Sequence, residues 1–303
     1  ISRRLGSSNP YTNGINDPNN SNYTKGYTEY SQDVILPSFF AAIMGRNSRD
    51  IPLMYENQNA PKANPFKNYI PLPNWRINFT GLSKIPALKN KVNTINISHS
   101  YKGTMSMNSF SSNLLYDDLL GVGFPSFIDS NSNNYIPFFQ VPNVTTTQNF
   151  GPIAGIDIQM KSGLSIKLTY NRSKMMSISM IDYQISQTKS SEITVGFGHR
   201  IRGLNLPFTL FGVNRLENDL NIRMDLGIKD DITSNYYFAL NENVPTRGQR
   251  VITIAPTVDY NVNENLQLRF YLEYRKASPY VDTSYPLTNI RGGFKLIYMF
   301  SPQ

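Results

Sequence analysis

At 303 residues and 34.4 kDa the chain has room for one large or two ordinary domains. Only 17% of its residues are charged, 12% are aromatic and 35 are Asn, a mixture too apolar for disorder and too poor in charge for a helical bundle. The net charge of +8 is spread along the chain without a basic block, which speaks against nucleic acid, and zero Cys excludes a disulfide scaffold, a thiolate metal site and a Cys nucleophile together.

Residues 1–74 are rich in Asn, Pro, Ser and Tyr and show no sustained period, so they read as an irregular extracellular or lumenal segment with one short helix around Ser38 to Gly45. The start, Ile1-Ser2-Arg3-Arg4, carries neither Met nor the apolar core of a leader peptide, and is expected to be a processed terminus or the cut end of something longer. The longest apolar stretch, Ile35 to Gly45, is too short for a membrane helix, which needs about 20 residues.

From Trp75 onward the texture changes to period-2 alternation. Leu266, Leu268, Phe270, Leu272 and Tyr274 fall on one side of a strand, with Gln267, Arg269, Tyr271, Glu273 and Arg275 on the other. The same pattern recurs at 75–82, 93–104, 152–160, 164–171, 191–200, 220–229, 250–261 and 288–299, which makes about nine strands. Most are near the roughly 9 to 11 residues that cross a bilayer at a tilt, about twice the usual soluble strand. Aromatics are expected at strand ends (Trp75, Tyr101, Tyr260, Tyr274, Tyr298, Phe300), where membrane barrels carry their girdles. Connections at 105–150, 176–190, 230–249 and 276–287 read as long outer loops. Those at 83–91, 161–163, 201–218 and 261–265 read as shorter inner links.

The fold class expected is therefore all-β, an antiparallel transmembrane β-barrel wall over 75–303 with long extracellular loops. Nine antiparallel strands cannot close on themselves, because the first and last would run parallel; either 1–74 holds a further strand, or, as the absent start signal favours, the wall is one sector of a much larger barrel.

Parity assigns the faces. Arg76, Lys102, Lys167, Arg223, Asp225, Arg269, Glu273 and Arg275 are expected to face a hydrated lumen. Ile166, Leu168, Leu226, Leu268, Phe270 and Leu272 are expected to face lipid, where Arg or Lys would cost about 2–4 kcal/mol each near the midplane. No catalytic, cofactor or metal site is expected. His99 and His199 sit on strands like interfacial aromatics, with no Ser or carboxylate at a triad spacing. Asp117-Asp118 reads as a solvated loop, and the Gly-rich stretches lack the strand-to-helix context of a phosphate loop.

Three long blocks carry a family resemblance: residues 71–110 (PLPNWRINFTGLSKIPALKNKVNTINISHSYKGTMSMNSF), 162–202 and 255–300. Together they resemble the outer-membrane translocon of the type IX secretion system, the SprA/Sov family of Bacteroidetes, and the last block resembles that family's carboxyl end. The resemblance implies a very large single barrel of about 36 strands that exports folded proteins bearing C-terminal sorting signals, gliding adhesins among them. It also implies partners: the remainder of the barrel, a PorV-type outer-membrane protein, a periplasmic plug and the cargo. Ser301-Pro302-Gln303 after Phe300 depart from a terminal aromatic. Two other readings stay open on the residues alone. One is a solute porin or TonB-dependent-receptor-like barrel; the other is a soluble surface adhesin whose Leu and Phe faces are buried against a second sheet.

Overall fold

Nine strands pair in strict chain order into one antiparallel sheet: β1 (Trp75–Phe79), β2 (Val92–Asn108), β3 (Asn143–Met160), β4 (Leu164–Ser179), β5 (Gln184–Ile201), β6 (Leu220–Tyr237), β7 (Glu242–Asn261), β8 (Leu266–Pro279) and β9 (Leu287–Tyr298). The structure, a computed structural model, describes residues 1–53, 69, 73–210, 213–216, 218–262, 265–282 and 284–298. Phe300 lies outside the described residues. The sheet does not close: β1 and β9 are its two edges, and with an odd strand count they run in the same direction.

Every expected strand is present, but most are longer than their hydrophobic alternation. β5 and β6 have 18 residues each and β7 has 20. The surplus lies at one end, in stretches such as Gln184–Ser190, where Gln, Ser, Thr and Lys occupy both faces and hydropathy has no period to show. The ladder continues regardless, pairing Thr188 with Thr233 and Gln187 with Ser234. Two expected outer loops are thereby corrected. Residues 176–190 and 230–249 are mostly the far halves of strands, closed by turns at 180–183 and 238–241 whose Tyr183 and Asn241 adopt positive φ (49° and 52°). The connection after β8 also shortens, to 280–286, so among the connections between the described strands at that end 109–142 alone is long. At the other end the links are 80–91, 161–163, 202–219 and 262–265; the third holds a small hairpin of Leu204–Leu210 with Val213–Leu216. Strand lengthening also moves Tyr101 and Tyr274 away from strand ends, while Trp75, Tyr260 and Tyr298 stay at or beside them.

The first 53 residues are more regular than their composition suggests. They form α1 (Ser2–Ser8) and α2 (Gln32–Met44), the second half of which is the expected short helix. Gly45 ends α2 at φ +62°, the left-handed conformation that favours glycine, and its N–H reaches the Ala41 carbonyl. This segment folds together with residues 109–142 as a cap at the long-strand end. Leu5, Tyr27, Val34 and Leu53 pack with Phe124 and Tyr135. The Asn134 side-chain oxygen accepts from both the N–H and the hydroxyl of Thr28 at 2.9 Å. Asn9 donates to the Tyr27 hydroxyl at 2.8 Å and to the Pro125 carbonyl at 3.1 Å. Leu36, Phe39 and Phe40 of α2 then join Ile51 and Tyr69 over Val144 of β3 and Ile178 of β4, which is where the buried apolar core lies.

Candidate functional site

Cross-strand register sorts the whole sheet into two faces, because paired residues point the same way and neighbours along a strand point oppositely. One row runs across all nine strands: Phe79, Ile97, Ile156, Leu168, Val195, Leu226, Ile254, Tyr274 and Ile290. The adjacent row on the opposite face reads Asn96, Asp157, Lys167, Gly196, Asp225 and Ala255. The six residues singled out for an apolar environment (Ile166, Leu168, Leu226, Leu268, Phe270, Leu272) all share the first face. The eight singled out for a hydrated one (Arg76, Lys102, Lys167, Arg223, Asp225, Arg269, Glu273, Arg275) all share the second.

The apolar face is organised as a band. From Ile193 to Ile201 in β5, Leu220 to Ile228 in β6, Ile252 to Tyr260 in β7, Leu266 to Tyr274 in β8 and Ile290 to Tyr298 in β9, alternate positions carry no Asp, Glu, Lys or Arg. The band begins at the short-link end and stops abruptly: the next positions on that face are Ser191, Asp230, Arg250, Lys276 and Thr288. Each run is nine residues, about 30 Å of strand at roughly 3.4 Å per residue. At a tilt of about 35–45° that is roughly 21–25 Å of height, the span of a hydrocarbon layer in a thin outer membrane.

Nothing in the described residues covers this band. Phe270 is 55% exposed, Leu168 37% and Phe294 65%, and Ile166, Leu226 and Leu268 are partly exposed. In β6 to β9 the buried residues are Thr233, Val251, Asp259 and Ala277, all on the charged face. In these four strands the usual arrangement, greasy side in and charged side out, is inverted; in β2 to β4 the buried Ile95, Tyr101, Val144 and Ile178 lie on the apolar face. Fifteen large apolar or aromatic side chains of this face stand at least a third exposed, among them Ile77, Phe79, Ile193, Phe197, Ile222, Met224, Ile228, Leu272, Ile290 and Leu296. At about 1 kcal/mol each for half a side chain left in water, the penalty is about 15 kcal/mol. That equals the upper end of a domain's entire stability, about 5–15 kcal/mol.

The charged face is held by its own polar ladder. Arg269 forks onto Asp259 across β8 and β7, Nε to Oδ1 at 2.5 Å and Nη2 to Oδ2 at 3.4 Å. Arg291 donates twice to one oxygen of Glu273, at 3.0 and 2.7 Å. Lys229 reaches Asp231 at 3.1 Å. The Thr188 and Thr233 hydroxyls share a hydrogen bond at 2.9 Å, and Arg247 Nε donates to Thr233 at 3.2 Å. Gly196 matters in this layer: a Cβ there would lie 2.8 Å from the Asp225 carboxylate, so the glycine lets the side chains of Lys167 and Asp225 spread over β5. Sequence reading did not single it out, since its role depends on the strands beside it.

The two histidines lie on the apolar face. His99 Nδ1 donates to the Ile153 carbonyl at 2.6 Å, and its ring stacks 6.2 Å from Trp75, which stacks in turn on Tyr101 at 4.5 Å. His199 stands exposed at the short-link end beside Arg200, whose guanidinium joins that of Arg202 on Asp219. Asp117 and Asp118 lie in the cap, where Asp118 accepts from the Tyr11 hydroxyl at 3.0 Å. No cluster of three or more His, Asp or Glu side chains that could hold a metal forms among the described residues.

Fold and surface together define an all-β protein built on an open antiparallel sheet with an apolar, uncharged band on one face, and no helix among the described residues is long and apolar enough to cross a membrane. No protein-family model matches the chain, and no curated protein matches it.

Proposed function

We propose that the sheet is a sector of the wall of a large outer-membrane β-barrel, with the apolar band against lipid and the charged face toward a water-filled lumen. The observation that carries this reading is the uncharged, partly exposed band of constant height on one face of β5 to β9, with the charged side chains at band height and the buried residues of β6 to β9 on the opposite face. The open edges extend it. In hydrocarbon each bare amide of β1 and β9 costs several kcal/mol, so further strands must complete the ring. A small pore closing on these nine strands alone would place two parallel strands side by side, against the even-numbered rule of bacterial barrels. A wide barrel of this kind suits the passage of folded proteins, and with the resemblance of 71–110, 162–202 and 255–300 this supports a protein-conducting channel of the type IX secretion kind. PorV-type and plug proteins are its partners, and it takes no cofactor and carries out no catalysis. Lumen-facing Arg, Lys, Asp and Glu then provide a hydrated surface along which cargo slides without sticking.

The membrane part is tested by labelling single cysteines in native membranes with a membrane-impermeant maleimide. Leu226→Cys and Phe270→Cys should be shielded, and Arg223→Cys and Glu273→Cys reactive once both sides are open to reagent. Equal reactivity on the two faces overturns the wall. The secretion part is tested by deleting the gene. Cargo with C-terminal sorting signals should accumulate in the periplasm, and undiminished export removes the secretion assignment while leaving the wall intact.

A further inference from the structure

Immediately above the apolar band, three cations crowd the same face. Lys174 of β4 lies directly opposite Lys189 of β5; Arg172, two residues from Lys174, lies opposite Ser191. Like charges placed directly opposite in a sheet destabilise it, yet none of the three has an anionic partner or a side-chain hydrogen bond among the described residues. The available acids are committed elsewhere. Asp230, across from Ser191 on this face, is held by the fork of Arg250 at 2.8 and 3.2 Å and by the Tyr280 hydroxyl. Glu192 and Asp231 belong to the opposite face. Among the described residues the cap adds no counter-charge here: Arg46 lines the neighbouring cleft with Gln148, the cross-strand partner of Lys174, and Glu29 lines a different cleft over Met176 and Ile178.

Directly below the cations the surface turns apolar without transition. Tyr170 follows Arg172 on the same face, opposite Ile193, and Leu168 and Val195 continue downward. A ligand matched to this surface has a compact anion at one end and a hydrocarbon tail at the other, oriented along the strand. We propose that Arg172, Lys174 and Lys189 form a binding site for the phosphorylated headgroup of a lipid in the leaflet at the long-strand end, its acyl chain lying along Tyr170, Leu168 and Ile193. This rests on the membrane reading above and adds to it a specific lipid contact. The phosphate oxygens would relieve the Lys174–Lys189 repulsion that the fold itself leaves unanswered.

The test uses the intact gene product, purified from membranes and placed in phosphatidylcholine nanodiscs with a small admixture of lipid A, against dephosphorylated lipid A and against inorganic phosphate. Each cation near a membrane surface is worth about fivefold in binding. The triple variant Arg172→Gln/Lys174→Gln/Lys189→Gln should therefore retain lipid A about a hundredfold less well, while Lys167→Gln on the other face changes nothing. Lys189→Glu creates a cross-strand pair with Lys174; it should raise the urea resistance of the protein and still lose the lipid, which separates binding from folding. Unchanged lipid A retention in the triple variant overturns the site. So do equal loss in Lys167→Gln, retention of dephosphorylated lipid A, and displacement of lipid A by inorganic phosphate at a concentration comparable to the lipid. Labelling of Leu226→Cys in the same variants reports the membrane reading separately: shielded Leu226→Cys with unchanged lipid retention refutes the site alone, and reactive Leu226→Cys refutes both.

Discussion

The medium touching the apolar band can be determined by a single charge. Phe270 lies midway along the Leu266–Tyr274 run, paired with Val258 of β7 and Phe294 of β9, and is 55% exposed. If water bathed this face, Phe270→Arg would trade exposed ring for a hydrated cation, and stability would stay within about 0.5 kcal/mol, as at most surface positions. Against hydrocarbon near the midplane the same substitution costs about 2–4 kcal/mol. That lowers the ratio of folded to unfolded wall by about 30- to 1,000-fold. The assay is the urea concentration at which the intact gene product, in its native membranes, becomes protease-sensitive, together with its steady-state level in the outer membrane. Gln267→Arg is the control: it places the same charge on the same strand, three residues away on the opposite face, and should stay within about 0.5 kcal/mol. A Phe270→Arg midpoint shifted no further than that of Gln267→Arg would mean the band does not meet lipid, and the wall argument would fall.

Gly163→Ala should destabilise the tight turn between β3 and β4 by at least about 1–2 kcal/mol, because φ there is +84° and the new Cβ would lie 2.6 Å from the Arg200 carbonyl; the same urea assay reads it. Arg269→Ala strands the Asp259 carboxylate, whose side chain is only 6% exposed. Loss of a fully buried partner costs about 3–5 kcal/mol, and with Arg269 itself 39% exposed the expected loss is about 1–2 kcal/mol. Asp259→Asn/Arg269→Gln should recover most of it, and failure to do so would show that the pair is not what holds β7 to β8 there. The cap should loosen in alkali. Burial raises the Tyr27 hydroxyl well above its ordinary value of 10.0, with Asp33 adding to it. Burial first and then Asp118 push Tyr116 up to about 12. Both favour the neutral form when folded, so their contribution is complete below pH 10.0 and is lost as pH rises toward and beyond about 12. Tyrosinate absorbance and proteolysis of residues 1–53 should change together over that window, and Tyr27→Phe should delay the cleavage.

Alternation along the chain determined the sheet and its two faces. In Leu266–Tyr274 or Leu220–Ile228 the side-chain period of two is also the hydropathy period, so strand type and parity are both legible, and the register keeps each expected residue on the face its parity assigns. Where hydropathy lacks contrast, the chain is silent. Gln184–Ser190 and Asp231–Tyr237 are strands because backbone ladders continue above the band, where isolated apolar residues such as Ile185 and Ile232 stand among polar ones and no alternation distinguishes strand from loop. Two outer loops were misplaced for that reason. The cap was equally hidden, since Asn9, Thr28 and Asn134 become specific only when residues more than a hundred positions apart in the chain meet. The pairing of Lys174 with Lys189 belongs to the same class. Each is an unremarked lysine in a polar stretch, and only the register of β4 on β5 places like charges face to face at the rim of the apolar band. Local periodicity is written in single residues and their neighbours. The height of the band, the open edges and the charge above it are relations between strands, and those exist only once the sheet has formed.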